Sequence, residues 1–86
     1  MEFVNGTVVR SAAGHDKGEL LLLLSADNKS ALVCDGRQRR LSKPKRKNLK
    51  HIKATSYILT KEETQSDKRL RKALFRLKNS EEHQEA

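Results

Sequence analysis

The chain has 86 residues, 35% of them apolar and 3% aromatic, with 19 Lys or Arg against 11 Asp or Glu and a formal net charge of +8. That length holds one domain with a small aliphatic core and a modest stability margin. With one cysteine no internal disulfide can form, and no run is long and apolar enough for a membrane-spanning helix.

The opening MEFVNG has neither a basic n-region nor a long apolar core. No signal peptide is expected, and the chain reads as a cytoplasmic protein without membrane contact. Phe3-Val4 and Thr7-Val8-Val9 are aromatic or β-branched beside Asn and Gly, and predict a first strand to about Arg10. Ser11 to Gly18 reads as a loop, Leu20 to Leu24 as a second strand, Asp27-Asn28-Lys29 as a tight turn and Ser30 to Cys34 as a third strand. Within Ala31-Leu32-Val33-Cys34 the thiol reads as a small buried hydrophobe. Cys34 and the scattered His15, His51 and His83 match no metal-ligand spacing, so no metal or cofactor is expected. Asp35-Gly36 is a hairpin signal, followed by a short strand around Gln38 to Ser42. Pro44 marks a break or an edge, and Leu49 to Ala54 reads as a fifth strand or an extended segment. Short strands at this spacing favour a small barrel or an open curled sheet, a β domain over residues 1–56.

After a connector over residues 57–65, Ser66 is placed to cap a helix with Asp67 in its first turn. Leu70, Ala73, Leu74 and Leu77 follow at i, i+3, i+4 and i+7, one apolar stripe on a helix over 66–79. Residues 80–86 are polar and expected to be disordered. If Leu20, Leu22 and Leu24 fill the sheet's core, Leu21 and Leu23 point outward and want a cover, for which the stripe Leu70, Leu74, Leu77 is the natural candidate. A dimer contact, or a helix swinging free as a second RNA-binding element, is the competing reading; a monomer is favoured.

The charge is concentrated. Between Arg37 and Lys53 stand nine Lys or Arg and His51, with no acid. Arg37, Arg39, Arg40, Lys43, Lys45, Arg46, Lys47, Lys50 and Lys53 repel one another unless something anionic lies against them, and nucleic acid is the commonest such partner. The bland alternatives are a solvated charge run or, in Lys43-Pro44-Lys45-Arg46-Lys47, a localisation signal. His51 reads as an exposed residue or as a stacking or phosphate contact. Phe3, Tyr57 and Phe75 form no platform of the kind single-strand readers use, so recognition is expected to rest on phosphates and RNA shape. Structured RNA, ribosomal RNA above all, suits that mode.

Asn5-Gly6-Thr7-Val8-Val9-Arg10, Gly14 and Lys17-Gly18 before a hydrophobic strand resemble the KOW motif, a strand–loop–strand unit of ribosomal proteins and transcription elongation factors. The continuation through Leu20 to Leu24, Ala31-Leu32-Val33 and Asp35-Gly36 is similar to large-subunit ribosomal proteins with that motif, and closer still to small bacterial KOW-domain RNA-binding proteins related to them. The resemblance covers about residues 3 to 55. It implies an SH3-like β-barrel whose loops contact structured RNA, in a ribosomal or ribosome-associated protein of the large subunit. Independently of it, Gly14 and Gly18 let the loop turn sharply, Arg10 and Lys17 can reach phosphates, and Ser11 and His15 offer hydrogen bonds. No catalytic grouping or nucleotide-cradling loop is found, so an enzyme is not expected. The alternative reading is a protein-interaction module working through the outward leucines or the helix stripe.

Overall fold

The structure, a computed structural model, describes residues 4–84, and the side chains of 4–81. Phe3, where the first strand was expected to begin, and residues 85–86 of the expected tail lie outside that span. Five strands form one antiparallel sheet: β1 (Thr7–Ser11), β2 (Leu20–Ala26), β3 (Ser30–Cys34), β4 (Lys45–Asn48) and β5 (Ile52–Ile58), in the order β4-β3-β2-β1-β5. A C-terminal helix, α1 (Asp67–Gln84), completes the architecture. No helix among the described residues is long and apolar enough to cross a membrane.

The outermost strands, β4 and β5, are consecutive in the chain and joined only by a 3-10 turn, Leu49–His51. A flat five-stranded sheet would hold its edges roughly 19 Å apart. The links from Asn48 to Ile52 reach at most about 14 Å. The sheet must therefore curl, helped by register shifts between Thr7 and Val9 and between Leu23 and Ser25. No ladder pairs β4 with β5, so the curled sheet stays open along that seam.

Alternation along the strands gives the sheet two buried faces. Val8, Leu20, Leu22 and Cys34 pack against Leu59 and against Leu70, Ala73 and Leu74 of the helix, with Leu77 at the margin. Val9, Leu21, Leu23, Ala31 and Val33 form the second cluster, joined by Leu49 and Ile52 from the edge connection, which places it on the concave side. The helix stripe thus covers the sheet, but over the opposite leucines from those expected. Leu20 and Leu22 meet the helix, Leu21 and Leu23 fill the curl, and Leu24, at the register shift, is exposed.

Four other segments differ from the sequence reading. The stretch expected to be extended over Leu49 to Ala54 opens as the 3-10 turn Leu49–His51, and β5 then runs from Ile52 through Ile58, into the expected connector. Val4 to Gly6 form a turn, with the Thr7 amide and hydroxyl both donating to the Val4 carbonyl, so β1 starts at Thr7. The strand expected over Gln38 to Ser42 is part of a long loop. There the Asp35 carboxylate accepts from the Arg37 and Arg39 amides at 2.8 and 3.0 Å, the Arg39 carbonyl accepts from Asp35 and Gly36, and the Leu41 amide donates to the Asp67 carboxylate at 2.8 Å. Backbone groups satisfied in this way are lost to a ladder, and the edge passes to Lys45–Asn48 beyond Pro44. Finally, α1 starts as expected, with the Ser66 hydroxyl accepting from the Arg69 amide at 3.2 Å, but it runs on through Gln84 instead of ending at Asn79. Glutamates at 81 and 82 are good helix formers, and Glu81 is tied to Arg10 of the sheet.

Candidate nucleic-acid interface

The basic band runs along the β3–β4 loop, the edge strand β4 and its junction with β5. Arg37, Arg39, Arg40 and Lys43 are exposed on the β3–β4 loop, Lys45 and Arg46 are exposed on β4, Lys50 and His51 on the 3-10 turn, and Lys53 on β5. Both edge strands and their junction therefore carry positive charge. The β3–β4 loop is held against the helix at Gly36. Its φ of +77° is left-handed, and a Cβ there would stand 2.4 Å from the Asp67 carbonyl oxygen. Arg71 reinforces this contact by donating to the Gly36 carbonyl at 3.1 Å.

The loop and the start of β4 form a cleft of about 460 Å³, lined by Gln38, Arg39, Arg40, Lys43, Pro44 and Lys45. Among the described residues four cations and no carboxylate face it. Among these cations no salt bridge is formed within the described residues.

Two residues of the expected contact set serve the fold instead. Lys47 is 8% exposed, and its ammonium donates to the Asp16 carboxylate at 3.1 Å and the Ala13 carbonyl at 3.2 Å. Ser11 is buried with its hydroxyl 2.7 Å from the Asp16 carboxylate and 2.9 Å from the Ala13 carbonyl. Burial opposes ionisation of Asp16, but the Ser11 hydroxyl and the Lys47 ammonium outweigh it and hold its carboxyl below the usual value. The Ala12 amide also donates to the His51 carbonyl at 2.7 Å. These bonds tie the β1–β2 loop to β4 and the edge turn, so the motif loop and the band do come together.

Other expected contacts are partly engaged. Arg10 donates to the Gly18 carbonyl at 3.0 Å and pairs with Glu81. Arg46 donates to the Ser30 hydroxyl at 2.9 Å and stands 3.8 Å from Asp27, whose carboxyl is held low chiefly by the Lys29 and Ser30 amides. His15 and Lys17 are exposed at the tip of the β1–β2 loop, where Gly14 and Gly18 have the expected positive φ of 88° and 90°.

The fate of Lys47 was detectable in principle. Once Lys45–Asn48 is a strand, alternation puts Lys45 and Lys47 on the face of their partners Val33 and Ala31, the concave face. Placing the fourth strand at Gln38–Ser42 hid that signal. Phe75, one of the scattered aromatics in the sequence, stands exposed on α1 and lines a cleft with Arg71 and Lys78. No group of three or more His, Cys, Asp or Glu among the described residues stands close enough to hold a metal ion.

A scan against protein-family models finds no match to the chain. A search of curated proteins likewise finds no significant relative.

Proposed function

We propose that the protein is a non-enzymatic binder of structured RNA that holds phosphates with the basic flank of its curled sheet. The observation that carries this reading is the acid-free cleft of Arg39, Arg40, Lys43 and Lys45, continued by Lys50 and Lys53 around the edge turn. Cations so crowded gain most from a continuous polyanion, whose binding releases condensed counterions. The scarcity of aromatics fits recognition dominated by phosphates and helical shape. The resemblance of Gly6 to Gly18 to the KOW motif, and the three-residue junction of the edge strands, support reading the curled sheet as an SH3-like barrel left open on one side. On that reading ribosomal RNA, and the large subunit in particular, is the first target to test.

Titration of ribosomal RNA over a salt series tests the mechanism. With roughly five phosphates engaged, log affinity should fall against log salt with a slope of about −3 to −4.5. Arg39→Glu with Lys43→Glu should remove most binding while leaving the thermal melt unchanged, since both side chains are exposed. A slope near zero, or full affinity in the double variant, overturns the proposal. Lys47 is unsuitable for such a reversal, because its charge is buried against Asp16.

A second reading, a protein-interaction module, has one supporting observation. The helix stripe is buried on the sheet, but a cleft of about 520 Å³ is lined by Leu22, Leu23, Leu24 and Leu59, and Val4 and Ile58 next to its lining residues are exposed. Loss of a bound protein in Leu24→Glu with RNA binding intact would favour that reading.

A further inference from the structure

We infer that a second cleft, next to the phosphate cleft, takes one unstacked RNA base, with guanine preferred; this rests on the RNA-binding reading above. The cleft, about 420 Å³, lies between the β1–β2 loop, the β3–β4 loop and α1. Gln38 lines both clefts, so a strand held by its phosphates in the first can place a neighbouring nucleotide in the second.

The two clefts differ in chemistry. The first has four cations and no acid. The second is floored by the core residues Leu20 and Leu74, and Phe75 stands at its rim, 65% exposed. A base offers a flat apolar face for such a ring, and base–aromatic stacking tolerates an exposed partner. Arg71 and Lys78, at i−4 and i+3 from Phe75 on the helix, line the same cleft, as does Arg37, and can keep the flanking phosphates outside it.

Carboxylates select the edge. Asp16, Glu19 and Asp35 all reach this cleft, which makes it a poor seat for a phosphate. Asp16 is already bound by Ser11 and Lys47, and Asp35 by two backbone amides. Among the described residues Glu19 is the freest, with an exposed pair to Lys78 at 3.9 Å that is worth little in water. Guanine alone presents two adjacent donors, N1–H and the N2 amino group, on its pairing edge, and a carboxylate accepts both side by side. Phe75 thus supplies stacking and Glu19 the discrimination, while affinity comes from the cations of the first cleft.

The test uses one fluorescein-labelled RNA hairpin in four forms: uninterrupted, or with a single bulged G, A or U, titrated by anisotropy against the full chain. The bulged-G hairpin should bind about fivefold or more tighter than the uninterrupted stem. Phe75→Ala should erase that difference while leaving stem affinity, its salt slope and the thermal melt in place. Phe75→Tyr should keep it, and Glu19→Gln should level G with A. Equal binding of bulged and uninterrupted hairpins by the native chain, or an equal loss from all four in Phe75→Ala, overturns the base site but leaves phosphate binding standing. Failure of the native chain to bind any hairpin at low salt overturns both.

Discussion

Lys47 shows how one residue type divides between two tasks within a single charged run. Lys45 and Lys47 lie on the same face of β4, yet Lys45 borders the open cleft whereas Lys47 reaches under the β1–β2 loop to Asp16. Lys47→Met would leave Asp16, on a loop that is partly covered, without its cation. We expect a loss of about 1–3 kcal/mol in unfolding free energy, with RNA affinity per folded molecule little changed. The effect depends on pH because Asp16 titrates below its ordinary value of 3.8 in the folded chain. Stabilisation from its ionised form is complete above that value and disappears as pH falls through the depressed one. The gap between native and Lys47→Met chains should therefore be constant near neutrality and shrink below about pH 4, as chemical denaturation over a pH series would show. A gap that widened toward low pH would mean that Asp16 is not the partner that matters. From the sequence Lys47 looked like its eight basic neighbours, since the loop residues Ala13 and Asp16 that receive its ammonium lie more than thirty positions away in the chain.

At the scale of elements, the contact that shapes the candidate site is that of the β3–β4 loop with the start of α1. Leu41 donates to Asp67, Arg71 donates to Gly36, and the Gly36 backbone lies against that of Asp67. Gly36→Ala adds a methyl group 2.4 Å from the Asp67 carbonyl oxygen at a φ of +77°, so the loop or the helix must move. We expect a stability loss above about 1 kcal/mol from the strained backbone alone. RNA affinity should fall as well, because Arg37, Arg39 and Arg40 ride on that loop. Gly18→Ala is the control: it shares the positive φ but has open space around its Cβ, so it should lose stability without disturbing Arg39. Equal RNA affinity in Gly36→Ala and the native chain, measured at a temperature where both are folded, would show that the loop's seat on the helix does not position its cations. The Asp35-Gly36 turn was legible in advance because its chemistry is local. Its docking partner lies 31 residues further on, at Asp67, and was not.

For the molecule as a whole, the helix closes one of the two cores, to which it gives Leu70, Ala73 and Leu74. Cys34 lies on the face that α1 covers, and burial, with smaller contributions from Asp35 and Asp67, pushes its thiol up to about 12. Alkylation of Cys34 at pH 8 should therefore be slow in the folded chain and should follow the opening of the sheet–helix interface. Leu70→Ala, at a position 0% exposed, should lower stability by about 2–5 kcal/mol and speed alkylation in proportion. Alkylation as fast as that of the unfolded chain would show that the helix does not stay docked. The ionic binding proposed for the basic flank belongs to this scale too. The chain's net charge comes from Arg37–Lys53, a run that spans the β3–β4 loop, β4, the edge turn and the start of β5, so its field is centred on those elements.

Strands at Thr7, Leu20 and Ser30, the Ser66 cap, the helix stripe and the acid-free run are written in near-neighbour chemistry: β-branched clusters, glycine and asparagine turns, a 3.6-residue period, unrelieved like charge. Those signals reach only a few residues, so they identify elements well and partners poorly. Which leucines face the helix, where the fourth strand falls, and that Lys47 turns inward were decided by long-range pairing. The register of β4 against β3, the short link that curls the sheet, and the Asp67 carboxylate claiming an amide 26 residues away each depend on distances that chain order does not encode.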